Sequence, residues 1–229
     1  SFLRGASSAE ELFATAAVLG LKALAITDRN SLAGIVRAQV AAKATGVRLI
    51  VGCRLILADG TDLTVYPVDR PAYARLSRLL SVGKARAGKA KCELHWDDLA
   101  DWGEGLIAML APDAADDLTA LRLRRLAGLF PGRCYMALTL RRRPRDFLRL
   151  HDLMNMAAQA GVPTVATNDV LFHAPERRML QDVMTCIREG RSIDDTGFAK
   201  NRHADRYLKP PQEMARLFRL WPEAVTRSV

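Results

Sequence analysis

Two acidic residues in this chain follow apolar, strand-like runs, at a position where α/β proteins build their sites. One run, residues 162–166, is rich in β-branched residues and gives way to polar residues that include Asp169. His173 follows in the next loop, and Pro175 then opens a helical pattern. In barrel-like α/β folds, side chains just past the carboxyl end of a buried strand form the site. From this local pattern alone, Asp169 could equally cap a turn and His173 could lie on the surface.

The other acidic residue, Asp28, stands in the same arrangement. Residues 23–27 form an apolar run, and the polar sequence TDRN, which contains Asp28, comes at its end. Ser31 is a suitable N-cap for the amphipathic helix that follows. Because the carboxyl ends of parallel strands meet at one edge of a sheet, Asp28 and Asp169 together predict a single site at that edge.

Strand and helix patterns alternate along the chain, and these elements must position the two carboxylates. Such alternation predicts an α/β fold with a mainly parallel sheet and helices on its outer face. The dipeptide Asp59-Gly60 is a strong turn signal, so a hairpin is expected around it. The predicted parallel strands lie near residues 23–27, 49–51, 106–110, 135–140 and 162–166.

For three helices, the sequence also predicts where the helix begins or ends or which face it buries. Ser7 or Ser8 is expected to cap the first of them. In residues 115–130, the expected inward face consists of Leu118, Leu121, Leu126 and Leu129. The helix after Pro175 is expected to end at Gly190. Its apolar residues, which repeat at helical spacing, are Met179, Leu180, Val183, Met184 and Ile187.

Length and composition indicate an ordinary globular chain. Its 229 residues can form one sizeable core, and 49% of them are hydrophobic. Its apolar runs are shorter than a membrane span, and the N-terminal sequence lacks the pattern of a signal peptide, so a cytoplasmic protein is expected. Four widely separated cysteines, without a C-x-x-C motif, predict reduced thiols in or near the core.

The charge balance favours a polyanionic neighbour. Lys and Arg total 34 against 25 Asp and Glu, which gives a net charge of +9. Nucleic acid is the usual partner of such an excess, although a general preference for arginine would produce the same figure. The densest basic run is expected to make weak, sequence-independent phosphate contacts, unless it is only a solvated loop. Its arginines are Arg141, Arg142, Arg143 and Arg145.

Several ordered motifs carry a specific resemblance. They read SFLRGASSAEEL, ALAITDRNSLAGIVRAQVAA, LIVGCRL and VPTVATNDVLFHAPERRMLQDVMTCIREG. In this order they resemble the N-terminal PHP (polymerase and histidinol phosphatase) domain of bacterial C-family DNA polymerases, which are relatives of the DNA polymerase III alpha subunit. The segments SFLRGAS and ITDRNSLAG are more similar to the error-prone branch of these polymerases than to the main replicative branch. The resemblance implies a distorted, TIM-like (β/α)7 barrel of mainly parallel strands.

Active members of this family bind up to three metal ions at the strand ends, and the resemblance allows each ligand position to be compared. The H-x-H pair of the family would fall before Ser1. The family's TDH reads Thr27-Asp28-Arg29 here, its GCE has Arg54 in place of the glutamate, and its NDVH ends in Leu171 after Asp169. His173 remains nearby. A guanidinium cannot ligate a cation, so the resemblance implies a degenerate metal site without catalytic residues. Its positions are Asp28, Arg29, Arg54, Asp169, Leu171 and His173.

The same comparison suggests what fills the place of the metals. Arg29 and Arg54 are expected to pair with Asp28 or Asp169, because two carboxylates drawn together need positive charge between them.

The resemblance also implies a role for the parent protein. Residues 1–190 would form the PHP-like domain, and residues 191–229 would lead towards a polymerase region. The parent would be an error-prone DNA-directed DNA polymerase, a nucleotidyltransferase, acting in translesion synthesis, repair and replication. It would use Mg²⁺, whereas this domain would be structural and bind no cofactor.

Expected partners are the rest of the chain, DNA bound weakly, the sliding clamp and mutagenesis-cassette proteins, with no membrane. Two rival functions remain open. One is a metal-dependent PHP phosphoesterase or proofreading 3′–5′ exonuclease, which needs a full ligand set. The other is a pure DNA-binding module, which needs a base-reading motif.

Overall fold

One mixed sheet organises the part of the chain that the computed structural model describes, residues 3–195, 197 and 203–228. Its six strands lie side by side in the order of the sequence. They are β1 (Ala23–Arg29), β2 (Arg48–Ile56), β3 (Asp62–Pro67), β4 (Leu106–Leu110), β5 (Cys134–Leu138) and β6 (Thr164–Ala166). Together they curl into half a barrel.

The strand directions confirm the predicted parallel set. β1 runs parallel to β2, and β4, β5 and β6 run parallel to one another. β3 is antiparallel to both β2 and β4, because the tight turn at Asp59-Gly60 sends the chain straight back. The predicted hairpin is thus present, and the five other strands share one direction. A closed barrel of seven strands is not formed within the described residues.

Helices connect the strands and cover the sheet. Their bounds are α1 (Ala9–Val18), α2 (Ile35–Thr45), α3 (Arg70–Ala87), α4 (Trp96–Trp102), α5 (Asp117–Leu129), α6 (Asp146–Gln159), α7 (Arg178–Glu189), α8 (Pro211–Leu217) and α9 (Pro222–Thr226). A short 3-10 helix, Pro175–Arg177, precedes α7. As predicted, Ser8 caps α1: its hydroxyl accepts from the N–H of Glu11, and the Glu11 carboxylate accepts from the N–H of Ser8.

The predicted cap at Ser31 is wrong. β1 continues to Arg29, and α2 begins only at Ile35, with Gly34 as its N-cap residue. The hydroxyl of Ser31 accepts from the N–H of Ala33 within the connecting turn. The N–H of Gly34 donates instead to Oδ2 of Asp28, at 2.9 Å. Asp28 of β1 therefore accepts a hydrogen bond at the start of α2, where the sequence predicts a cap by the side chain of Ser31.

Two hydrophobic clusters form the core. The larger lies between the sheet and the helices that follow β3, and the smaller joins α1, α2 and β1 around Phe13 and Ala38. Within α5, Leu123 and Leu126 are buried, whereas Leu118 and Leu121 are exposed. The inward face predicted for this helix is therefore wrong at two of four positions. α5 starts at Asp117 after its cap Asp116, and this start places Thr119, Leu123 and Leu126 against the sheet.

α7 ends at Gly190 as predicted, but its apolar face points outwards. The exposed fractions are 66% for Met179, 41% for Leu180, 40% for Val183 and 60% for Ile187. The buried residues of this helix are Gln181, Asp182, Thr185 and Cys186. An apolar stripe on a surface helix normally faces the core, so the polarity of α7 is reversed.

The described residues after position 203 pack onto the domain. Phe218, Trp221 and Ala224 belong to the larger core cluster, and the rings of Phe147 and Trp221 stack with centroids 6.1 Å apart. Residues 196, 198–202 and 229 of the expected tail, residues 191–229, lie outside the described part of the chain.

The fold also bears on the predicted state of the cysteines and on membrane-spanning helices. All four cysteines are free thiols, three of them buried, as predicted. In the described ranges, no helix combines the length and apolar character needed to cross a bilayer.

Candidate functional site

The carboxyl ends of the five parallel strands open into a cavity of about 870 Å³. Asp28 and Asp169 both line it, so the two carboxylates predicted to share one edge of the sheet do so. Charged residues from all five strand ends contribute to its wall. They are Asp28 and Arg29 of β1, Arg54 of β2, Asp113 after β4, Arg141 after β5 and Asp169 after β6.

Asp169 is the centre of this wall and contacts three guanidinium groups. Its Oδ1 lies 3.0 Å from Nη1 of Arg54. Its Oδ2 lies 3.2 Å from Nη1 of Arg141 and 2.6 Å from Nη2 of Arg206. Arg206 also donates through Nε to the backbone carbonyl of Asp169, at 2.8 Å. The side chain of Asp169 is only 19% exposed, so these contacts satisfy a largely buried charge.

The pKa values of Asp169 and its arginines follow from the sharing of one carboxylate by three guanidinium groups. Burial by itself would raise the pKa of Asp169, but the charges of Arg206, Arg54 and Arg141 outweigh burial and hold the pKa below its ordinary value. Burial also lowers the pKa of Arg206, which the shared Asp169 only partly offsets. For Arg54, burial is outweighed by Asp62 and Asp169, so its pKa is raised. The two arginines differ because Arg54 also makes a bidentate contact with Asp62.

The hairpin sets the position of Arg54. Arg54 on β2 faces Thr64 on β3, and Asp62 faces Ile56, so Arg54 and Asp62 are diagonal neighbours across the antiparallel pair. Arg54 donates through Nε and Nη2 to the two carboxylate oxygens of Asp62, both at 2.8 Å. This bidentate contact fixes the guanidinium, and Nη1 is then directed to Asp169.

A second carboxylate, Asp146, holds the loop that carries Arg141. Its Oδ2 accepts from the backbone N–H groups of Arg141, at 2.5 Å, and of Arg142, at 2.9 Å. Its Oδ1 accepts from Nε of Arg149 at 2.9 Å. The Asp146 side chain is 6% exposed. Arg142 and Arg145 both adopt positive φ, 52° and 61°, so this turn has a backbone conformation that its ion pairs must hold.

Asp28 and Arg29, at the end of β1, are arranged differently from Asp169 and its arginines. Asp28 accepts from the N–H of Gly34, and a Cβ at Gly34 would lie 2.4 Å from Oδ2 of Asp28, so the contact requires glycine there. Arg29 lies opposite Arg54 in the parallel register of β1 and β2. Burial lowers the pKa of Arg29, and the neighbouring charges of Arg54 and Arg188 lower it further, against the pull of Asp62. Of the two arginines expected to pair with these carboxylates, Arg54 contacts Asp169.

His173 and Leu171 make contacts with the N-terminal segment. Nδ1 of His173 lies 2.8 Å from the hydroxyl of Ser7, which also accepts from the backbone N–H of His173 at 2.9 Å. The carbonyl of Leu171 accepts from the N–H of Ala6 at 2.8 Å. Within residues 3–195, 197 and 203–228, no three His, Cys, Asp or Glu side chains come together in a way that could hold a metal ion.

The arginines predicted to contact phosphate divide into two kinds. Arg141 is bound to Asp169 and lies 3.2 Å from Asp113, and Arg142 donates to Asp205 at 2.7 Å. Arg143 is half-exposed and 3.8 Å from Asp113, and Arg145 is exposed. Sequence reasoning did not find the carboxylates Asp62 and Asp146 or the arginine Arg206 as parts of the site. For one of these residues, Asp62, the sequence did contain an indication: the turn predicted at Asp59-Gly60 brings Asp62 beside Arg54.

The sheet, with charged residues at the ends of its parallel strands, defines an α/β domain of the PHP type. The sequence profile of the PHP domain family matches residues 1–134, and the chain belongs to this family. Over its whole length the chain is 64% identical to "Error-prone DNA polymerase 1" of Agrobacterium fabrum and 61% identical to "Error-prone DNA polymerase 2" of Rhizobium meliloti. It is 50% identical to "Error-prone DNA polymerase" of Caulobacter vibrioides. The match covers the N-terminal 21% of these relatives, so the chain spans about a fifth of their length.

Solved structures with the same fold are more distant in sequence. A putative metal-dependent phosphoesterase from Bifidobacterium adolescentis superposes with a TM-score of 0.53 at 14% identity, covering 74% of this chain and 84% of that one. An amidohydrolase from Chromobacterium violaceum gives a TM-score of 0.54 at 16% identity, with the same coverage. At these identities the likeness concerns the fold alone.

Proposed function

We propose that this chain is the N-terminal PHP domain of an error-prone DNA-directed DNA polymerase that acts in translesion synthesis and DNA repair. The domain itself is structural, and its strand-end site is a degenerate metal site in which arginines replace the ions. The full-length identity to error-prone polymerases supports the first part. The contact of Asp169 with Arg54, Arg141 and Arg206 carries the second part.

The arginine contacts support a non-catalytic domain for a chemical reason. A guanidinium stays protonated and has no lone pair for a cation, so it neutralises Asp169 without binding metal. A metal ion at Asp169 would have to displace three fixed positive charges and would meet their repulsion. Water activation for phosphoester hydrolysis needs a cation with several anionic or neutral ligands.

The rest of the proposal concerns the whole protein. The polymerase region supplies the Mg²⁺-dependent chemistry, and residues 191–229 lead towards it. In the complete protein, the half-barrel closes into a seven-stranded, TIM-like barrel. The sliding clamp and mutagenesis-cassette proteins are its partners in the bacterial cytoplasm, where the chromosome is replicated.

We expect the full-length polymerase to extend a primer past a template lesion with Mg²⁺, and the domain alone to be inactive. Added Mn²⁺ or Zn²⁺ should give the 229-residue chain no phosphoesterase or 3′–5′ exonuclease turnover, and a chelator should leave its melting temperature unchanged. Loss of primer extension on adding the same chelator to the full-length protein is the control. Chelator-sensitive exonuclease activity in the domain would favour the rival function, a PHP phosphoesterase or proofreading exonuclease.

DNA contact through the basic loop is proposed to be weak and unspecific. Arg141 and Arg142 are engaged with carboxylates at 3.2 Å or less, whereas Arg143 has a long, exposed ion pair of 3.8 Å with Asp113 and Arg145 is exposed, so these two arginines are the ones proposed to meet phosphates. Two such contacts predict that the logarithm of the affinity falls with the logarithm of salt with a slope of about −1.8. Fluorescence anisotropy with a labelled duplex should show this slope for the 229-residue chain. The double variant Arg143→Ala, Arg145→Ala should abolish it, whereas the exposed control pair Arg124→Ala, Arg219→Ala should retain it; an unchanged slope in the first variant contradicts the proposal.

A further inference from the structure

The outward apolar face of α7 is a surface that the described part of the domain leaves exposed. It consists of Met179, Leu180, Val183 and Ile187, which are 40–66% exposed and lie along one side of the 12-residue helix. Exposed apolar side chains scattered singly are ordinary on protein surfaces. Four of them gathered on one face of a three-turn helix, with polar residues on the buried side, are typical of an interaction surface.

Polar contacts fix this orientation of α7. Gln181 donates to the carbonyl of Arg4 at 3.5 Å, and Arg188 donates to the carbonyl of Leu3 at 3.0 Å. Just before the helix, Arg177 forms an ion pair with Glu11 of α1. A rotation of α7 that buried its apolar face would break these contacts. The apolar face is therefore held outwards by the fold.

We propose that this face is the docking surface for the polymerase region of the same chain, which follows the matched part in the relatives. The proposal rests on the proposed function, since it requires that the domain belongs to a polymerase. The relatives are about five times as long as this chain, so a large part of such a protein lies beyond the domain and is tethered to it.

The size of the face argues for a tethered occupant. A helix of this length spans about 18 Å and is about 10 Å wide, so the strip it presents is on the order of 200 Å². A stable association of separate molecules usually buries about 800 Å² on each partner. A covalently linked surface needs less, because the linker raises its effective concentration to the millimolar range.

Charge argues in the same direction. Each copy of the chain carries a net charge of +9, so two copies would repel each other as they approached through this face. An apolar surface elsewhere in the same polypeptide is held near the α7 face by the covalent linkage. The repulsion between copies does not act against it. A second copy is thus less suited to the face than the polymerase region, and a separate protein is disfavoured by the small size of the face.

Photo-crosslinking in the full-length polymerase tests the proposal. A benzoylphenylalanine residue in place of Val183 should crosslink to a peptide of the same chain beyond residue 229, with a yield independent of protein concentration. The same residue in place of Leu121, a leucine on α5 that is 57% exposed against 40% for Val183, should give no such product. A crosslink only to a second copy or another protein, only within residues 1–229, or none at all overturns the proposal.

A matched pair of variants tests whether apolar contact is the cause. With the photo-reactive residue kept at position 183, Leu180→Asp and Ile187→Asp together should abolish the intrachain crosslink. Leu118→Asp and Leu121→Asp on α5 should leave it intact, and equal yields from both variants overturn the proposal. Primer extension past a lesion is measured in parallel. If the protein crosslinks as expected but extends no primer, the proposed function is refuted, while the α7 face is still shown to dock a later region of its own chain.

Discussion

Replacing Asp169 by alanine is expected to lower the free energy of unfolding by about 3–5 kcal/mol, the usual result of removing one partner of a buried ion pair. The reason is that Arg54, Arg141 and Arg206 all direct a guanidinium at this one carboxylate. Arg206 is strongly affected, because Asp169 contributes most among the carboxylates that offset its burial. Urea unfolding of the 229-residue chain, followed by circular dichroism, measures the change.

Two further measurements separate this effect from a general loss of charge. Asp97→Asn removes a fully exposed carboxylate 3.9 Å from Arg125 and should change stability by less than about 1 kcal/mol. The pH dependence supplies the second measurement. Because the pKa of Asp169 is lowered in the folded state, its contribution is complete above the ordinary carboxyl pKa of about 3.9 and is lost as the pH falls through the folded value. Stability should therefore fall more steeply below about pH 4 in the native protein than in Asp169→Asn, and equal slopes would contradict the role assigned to Asp169.

Asp146→Ala is expected to have an effect of similar size, about 3–5 kcal/mol, although this residue touches neither Asp28 nor Asp169 through its side chain. The substitution leaves two backbone N–H groups and the guanidinium of Arg149 without their carboxylate. Asp146→Asn should recover part of the loss, since an amide oxygen can still accept from the backbone. Unfolding in urea gives both values.

A double-mutant cycle shows whether Asp146 acts on the site. If it positions Arg141, the variant lacking both Asp146 and Asp169 should be more stable than the sum of the single effects by about 0.5–3 kcal/mol. Additive effects would mean that Asp146 only holds its own turn. Asp116→Ala serves as the control, since Asp116 accepts from the N–H of Thr119 at the start of α5 and should show the loss of an ordinary helix cap, about 1 kcal/mol.

The parts of the fold that follow from local rules could be predicted from the sequence. Five strands were identifiable from short apolar runs, and the hairpin was identifiable from Asp59-Gly60, because turn chemistry and strand period are written in adjacent residues. The meeting of Asp28 and Asp169 at one cavity follows from the parallel direction of their strands.

The orientation of helices and the membership of the ion-pair cluster could not be predicted in the same way. Periodicity shows that α7 has an apolar face, but contacts of Arg188 and Arg177 with residues near the N-terminus decide which way that face points. Arg206 lies in a segment without periodic pattern, and its contact with Asp169, 37 residues earlier in the chain, is set by the tertiary fold. The sequence shows that arginines replace ligands, and only the fold shows which of them reach the carboxylate.

The consecutive strand order has a consequence for how the chain folds during synthesis. Among the six described strands, each pairs with its neighbours in sequence, so the sheet can grow strand by strand as the polypeptide leaves the ribosome from its N-terminus. The ion-pair cluster cannot form in that way, since Arg54 and Asp169 are 115 residues apart and Arg206 emerges later still. Long-range contacts of this kind form late because loop closure has to precede them. The nascent domain therefore passes through a stage in which its sheet is assembled while Asp169 is still solvated and lacks the last of its three arginines.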